Sequence, residues 1–270
     1  FKAITAGVKH IDTARAYGNS EFVVGKALSK IDKSGVIIST KLSPYILDNS
    51  PTEHEISCRV DKSINDSLND LGIKNIDVLM LHRWNHFFEN NGVVWRRLRS
   101  WKEKGIVNKL GASLGGPEEL IQALSQPEIE FLQIPFNILD WRFRSKTVTL
   151  AIESRPDVVI QARSVFLQGL LVSSAEIWPE ISGLDAAFII KQLDNLVVDF
   201  KRQSSADLCC AYLRSTSWVG SIVIGMETLF QLEDNIKLFS QPFLNQTQID
   251  TIERTFTNIP ENLLNPSMWK

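Results

Sequence analysis

The sequence predicts an α/β fold, a (β/α)8 barrel, on three observations. Short apolar runs alternate with helical patterns along the whole chain, which argues for a parallel sheet. The 270 residues match a barrel of one domain, where about 250 is typical. The first three runs end in polar, reactive side chains, the placement expected at the C-terminal rim of a barrel.

Seven strand-like runs are expected: Lys9–Thr13, Val36–Lys41, Ile76–His82, Lys109–Leu114, Phe131–Pro135, Val158–Ala162 and Val219–Ile224. Helical periodicity fills the intervals at Ser20–Ser29, Glu53–Asp70, Val93–Lys104, Pro117–Leu124, Lys146–Ser154, Ala186–Lys201 with Ala206–Leu213, and Leu229–Leu238. Phe1 to Gly7 reads as the end of a helix with Gly7 as its stop. Seven strands after a helix stub imply that the barrel's first strand lies upstream, in a unit of roughly 30 residues. Residues 1–270 are therefore read as one barrel domain that lacks its first strand here.

Composition narrows the function classes. The chain is 44% apolar and 22% charged with a net charge of −2, ordinary for a globular protein with a large core. Lys and Arg are scattered, so no nucleic-acid partner is indicated. No apolar run reaches the roughly 18 residues of a membrane span. The three cysteines, Cys58 and adjacent Cys209 and Cys210, have no disulfide or zinc spacing. They fit small buried apolar residues in a reducing cytoplasm. Oligomeric state is not legible.

The stretch His10 to Gly25, HIDTARAYGNSEFVVG, organises the reading of function. Its strand ends in Asp12, a short loop presents Tyr17, turn residues Gly18 and Asn19 follow, and Ser20 starts a helix. The next strand ends in Lys41 and the one after it in His82. In a parallel barrel those ends share one rim, so Asp12, Tyr17, Lys41 and His82 converge. Singly, each has an ordinary structural use as turn acid, core phenol, solvated strand end or core histidine. Their joint order and spacing argue for chemistry. No pair among His10, His54 and His86 has metal-ligand spacing, and no metal is expected.

DTARAYGNSE, the STK strand end, LMLHRW, QIPFNILD and IGMETLFQLEDN occur in this order from Asp12 to Asn235. In these motifs the chain resembles the aldo-keto reductases, whose catalytic tetrad is Asp, Tyr, Lys and His in this order. The resemblance implies nicotinamide-dependent reduction of an aldehyde or ketone, sugar aldehydes among the candidates. Hydride attack on a carbonyl leaves negative charge on oxygen and requires a proton. A phenol is a weak acid unless its surroundings favour the phenolate, and a nearby ammonium does so. Tyr17 is thus the expected general acid, Lys41 its cation, Asp12 the anchor of Lys41, and His82 the group that orients the substrate oxygen.

The resemblance also implies a cofactor site for NAD(P)(H). Ser113 and Gln133 match the positions that bind the nicotinamide amide, while the usual Asn after that serine is Leu114 here. Arg163 stands where the family usually stacks a tyrosine on the ring. A planar guanidinium stacks as well, yet it would repel the oxidised ring, so binding of an acidic or phosphorylated substrate is the other reading. Ser164, Leu167 and Gly169 fall where the loop would face the pyrophosphate. Gly225 gives close backbone approach, and the helix after it offers its N-terminus to phosphate; Gln231 and Asn235 match the ribose and adenine contacts of many members. Glu227 occupies a place where many members carry Arg or Lys for the 2′-phosphate, which leans the expectation slightly to NAD(H). Its ordinary alternative is an acid at a helix N-terminus. No strand–GxGxxG–helix unit is present, so a Rossmann domain is not indicated.

The loops Ser43–Pro51 and Arg83–Gly92 and the tail Thr257–Lys270 are the expected substrate walls, with Tyr45 and Trp84 as candidates to line them. Padding of the underlying helices is the alternative use of those aromatics. Two further readings stay open. One is a regulatory or binding subunit that keeps the barrel and cofactor but turns over slowly. The other is a barrel lyase using Lys41 as a Schiff base. The small-molecule carbonyl itself is not named by the sequence.

Overall fold

The computed structural model describes residues 2–269. The first residue of the expected helix stub, Phe1, and the last of the expected tail, Lys270, lie outside them. Seven strands hydrogen-bond in chain order: β1 (His10–Asp12), β2 (Ile37–Lys41), β3 (Ile76–Leu81), β4 (Val107–Ser113), β5 (Phe131–Pro135), β6 (Val159–Arg163) and β7 (Ser221–Ile222). The β1–β2, β2–β3, β3–β4, β4–β5 and β6–β7 pairs are parallel. Helices fill the intervals, as the alternation predicts. The chain packs as two compact units, one of residues up to Leu114 with Gln122–Gln133, the other of Gly115–Ile121 with residues from Ile134 onward.

The first unit carries α1 (Lys2–Thr5), α2 (Ser20–Leu28), α3 (Glu53–Leu71) and α4 (Glu89–Glu103). Leu28 and Leu71 close over Ile38 of β2, with Ile11, Val24, Ile31 and Ile73 packed around them. Gly25 lets α2 approach the end of α3, because a Cβ there would sit 2.1 Å from the Asp70 carbonyl oxygen. Helix α3 opens with a Thr52/Glu55 capping box and closes at Gly72 in the left-handed region, φ 62°. The right-handed run of helix α4 begins at the expected Val93, after a kink in which Asn90, Asn91 and Gly92 stand at φ 49°, 55° and 69°, conformations that Asn and Gly tolerate best.

In the second unit the helices are α5 (Pro117–Leu124), α6 (Lys146–Glu153), α7 (Ala186–Asp199), α8 (Ser205–Ser215), α9 (Leu229–Ser240) and α10 (Gln246–Thr255). Cys209 and Cys210 are buried in α8, and burial pushes the Cys210 thiol up to about 12, so both are inert core residues. Phe136 packs against Phe143, Tyr212 and Trp218. The segment after α10 is tied down by Trp141, whose indole N–H donates to the Ile259 carbonyl at 2.9 Å. Arg144 donates to the Glu253 and Phe256 carbonyls.

Two expectations shift. The last strand is two residues long instead of Val219–Ile224. Helix α10 falls in a stretch for which no helix is expected from the periodicity. Its Asn245/Gln248 capping box is the local signal that could have found it. Among the described residues no helix is long and apolar enough to cross a membrane, and no group of three or more His, Cys, Asp or Glu could hold a metal ion.

Candidate active site

The first unit brings the four expected catalytic residues together. Asp12 ends β1 and Lys41 ends β2, two residues out of register with each other, since Asp12 lies beside Ser39. His82 follows the last residue of β3. The Lys41 ammonium is 1% exposed and donates to both Asp12 carboxylate oxygens, at 2.8 and 2.7 Å, and to the Thr13 carbonyl at 3.1 Å. A buried ammonium is tolerable only with partners of this kind. Lys41 Nζ lies 5.1 Å from the centre of the Tyr17 ring, within cation–π range. The Tyr17 and His82 rings meet edge to face, centroids 5.9 Å apart at 86°. Tyr17 is 48% exposed, so a buried charged pair backs a phenol that solvent and ligands can reach.

Backbone bonds fold the Tyr17 loop onto β2. Thr13 N–H donates to the Ser39 carbonyl at 2.9 Å, Arg15 N–H to the Lys41 carbonyl at 3.3 Å, and Tyr17 N–H to the Ala14 carbonyl at 3.0 Å. The Gln133 amide donates to Asp12 Oδ1 at 2.8 Å, and Ser113 Oγ donates to Gln133 Oε1 at 3.5 Å. Ser113 and Gln133 are register partners on β4 and β5. A hydroxyl and a primary amide beside the charged pair suit a carboxamide, which both donates and accepts, so this donor set fits a nicotinamide. The Leu114 N–H donates to the Gln133 carbonyl at 2.8 Å; its apolar side chain is buried.

The expected substrate-wall residues part company. Tyr45 is exposed, whereas Trp84 is buried, its indole N–H bonded to Gln122 at 3.0 Å and its ring against Phe87 and Phe88. His86, in the same loop, is buried, and burial lowers its imidazole below the ordinary value. His10 sits below Asp12 on β1, bonded to Ser39 with its ring edge toward Phe131. Burial lowers it too, chiefly against the raising effect of Asp12.

The second unit holds the other expected cofactor residues. Arg163 ends β6 and donates to Ser164 Oγ at 3.3 Å. Ser164, Leu167, Gln168 and Gly169 all have positive φ, at 61°, 45°, 55° and 92°. Left-handed non-glycine residues are strained and cluster at functional sites. Gly225 and Glu227 are exposed ahead of α9, and Asn235 is half-buried on it. Gln231 does something the sequence did not suggest. Its Oε1 accepts from the Glu227 and Thr228 N–H groups at 2.6 and 3.2 Å, closing a capping box with Thr228. Any ligand contact from Gln231 therefore falls to its amide nitrogen.

Sequence reasoning missed Glu21, Arg15 and Thr40. Glu21 is 2% exposed, ion-paired with Arg15 and accepting from Thr40 Oγ1 at 2.6 Å. The signal was available, since Arg15 and Glu21 lie inside the DTARAYGNSE motif.

Comparison with known proteins matches residues 2–255 to the model of the Aldo/keto reductase family. An NADH-specific methylglyoxal reductase of Escherichia coli is 27% identical over 188 residues, 64% of this chain and 57% of that protein. An NAD/NADP-dependent indole-3-acetaldehyde reductase of Schizosaccharomyces pombe is 31% identical over 116 residues, 41% of this chain and 37% of that protein. The chain thus spans little more than half the length of the first of these relatives, and less of the second. Among solved structures, the holo form of aldo-keto reductase AKR11C1 from Bacillus halodurans aligns with a TM-score of 0.75 at 21% identity, covering 94% of this chain and 84% of that one. It shares the fold.

Proposed function

Because the chain belongs to the aldo/keto reductase family, we propose that it reduces the carbonyl group of a small aldehyde or ketone to an alcohol with a nicotinamide cofactor, Tyr17 donating the proton. Residues 1–270 are taken as one barrel domain, in keeping with a family match that runs through both compact units. The observation that carries the proposal is the Lys41 ammonium, buried, held by both Asp12 oxygens and 5.1 Å from the centre of the Tyr17 ring.

The chain's own groups account for proton movement. When bound, the reduced nicotinamide supplies the hydride that forms the new C–H bond. Tyr17 gives its phenolic proton to the carbonyl oxygen as charge develops there. The phenolate left behind is stabilised by the Lys41 ammonium, 5.1 Å from the ring centre. Asp12 fixes that ammonium by a two-oxygen grip, and Gln133 donates to Asp12 Oδ1. The exposed face of Tyr17 lets solvent restore the proton. His82, edge-on to the ring, hydrogen-bonds the substrate oxygen and orients it toward the phenol. Ser113 and Gln133 bind the carboxamide.

The remaining assignments belong to the same proposal. Ser164, Leu167 and Gly169 approach the pyrophosphate, Gly225 allows close backbone approach to phosphate, Gln231 and Asn235 contact the ribose and adenine, and Tyr45 and Trp84 the substrate side. Arg163 either stacks on the ring or binds an acidic substrate. Glu227 favours NAD(H), and the methylglyoxal reductase of Escherichia coli is NADH-specific. A panel of aldehydes and ketones, sugar aldehydes included, run separately with NADH and NADPH tests the reading. Turnover of a carbonyl supports it. Tight cofactor binding with no turnover across the panel rejects it in favour of a slow regulatory or binding subunit.

A further inference from the structure

The carboxylate of Glu21 is bonded to the neighbourhood of both members of the Tyr17–Lys41 pair. On one side it accepts from Thr40 Oγ1 at 2.6 Å, and Thr40, 0% exposed, directly precedes Lys41 on β2. On the other it pairs with the guanidinium of Arg15, two residues before Tyr17. Arg15 reaches further, to Asp70 Oδ2 at 2.6 Å near the end of α3. The loop is also closed at its far end, where Thr13 Oγ1 donates to Ser20 Oγ at 2.9 Å. Glu21 itself sits on the first turn of α2, which Gly25 lets press against α3.

We propose that Glu21, acting with Arg15 and Thr40, is a positioning residue that sets the spacing between the Tyr17 loop and the Lys41 strand. The inference rests on Tyr17 being the proton donor. A buried carboxylate is an expensive strut. Taking it out of water is costly unless charged and hydrogen-bonded partners compensate, and a polar residue at the surface would suffice to start a helix. What the buried carboxylate adds is a fixed link between β1's loop and β2. The attraction between the Lys41 ammonium and a phenolate falls with separation. A loop free to drift would therefore weaken the stabilisation of the charged form of Tyr17.

Three variants test this. Thr40→Val removes the hydroxyl and keeps the Glu21–Arg15 pair; Thr40→Ser keeps the hydroxyl; Glu21→Gln keeps an acceptor for Thr40 and removes the ion pair. Thr40→Val and Glu21→Gln are expected to lower kcat about tenfold to hundredfold, the scale of a misplacement near 1 Å. Carbonyl KM and cofactor affinity should stay unchanged. Thr40→Ser should restore kcat. A purely structural role would lower the melting temperature and leave kcat of the folded protein at the wild-type value. If Glu21→Gln fails to fold, Thr40→Val, which retains the ion pair, carries the test. Tyr17→Phe is measured alongside. Wild-type kcat in the folded variants, beside an inactive Tyr17→Phe, overturns the positioning role alone. An active Tyr17→Phe overturns the acid assignment and the positioning role with it.

Discussion

Lys41 grips Asp12 through both carboxylate oxygens, at 2.8 and 2.7 Å. The pair is nearly out of water, with side-chain exposures of 1% and 10%. In such surroundings each charge depends on the other, and losing one partner leaves the second buried and uncompensated.

Lys41→Met should lower the rate of carbonyl reduction, because it removes the cation that favours the phenolate left by proton transfer and leaves the Asp12 carboxylate without its partner. Wild-type kcat in the folded variant would separate Lys41 from Tyr17.

Glu227→Arg should improve NADPH affinity and weaken NADH. A carboxylate about 4 Å from a 2′-phosphate, partly exposed, opposes it by on the order of 1–4 kcal/mol, roughly a tenfold to thousandfold preference for NAD(H). Fluorescence titration of the wild type with each dinucleotide checks the premise. Tighter binding of NADPH than of NADH by the wild type would remove Glu227 from the specificity account.

Acid should destabilise the fold through His10 and His86. Burial holds both imidazoles below their ordinary value, about 6.5 in a model peptide. Below that value the unfolded chain takes up a proton that the folded chain refuses. The stability these groups contribute is complete above about pH 6.5 and is lost as pH falls through the lowered folded values. Melting temperatures measured downward from neutral pH should decline, with a shallower decline in a His10→Gln, His86→Gln variant. An unchanged slope in that variant would assign the acid sensitivity elsewhere.

Gly25→Ala should destabilise the first unit. The added methyl would stand 2.1 Å from the Asp70 carbonyl oxygen and 2.8 Å from the Leu71 Cα, both backbone atoms that cannot step aside as a side chain can. A loss of about 1–3 kcal/mol is expected, read from urea unfolding. Wild-type stability would mean that α2 and α3 separate at little cost.

The strand ends were legible in the sequence because reactive residues closed well-formed apolar runs: Asp12, Lys41 and His82 each stand at or just past a strand end in the structure. What stayed hidden was set by partners distant in the chain or by local capping. Nothing in LHRW tells that Trp84 turns inward to Gln122, 38 positions away. Gln231 read as a ligand contact, yet its oxygen caps α9. Helix α10 escaped because only two of its ten residues, Ile249 and Ile252, are apolar; they do lie three apart on one face, and with the Asn245/Gln248 capping box they could have marked it. Glu21 escaped because an acid in the first turn of a helix is commonplace; only its burial between Arg15 and Thr40 distinguishes it.

The central claim is that the Tyr17 phenol supplies the proton, and replacing that one oxygen tests it most directly. On the best carbonyl substrate found in the panel, Tyr17→Phe should lower kcat by about 10²–10⁴, the range for loss of a positioned acid, while cofactor affinity stays near that of the wild type. A variant that keeps more than roughly a tenth of wild-type turnover, well short of that loss, would contradict the account.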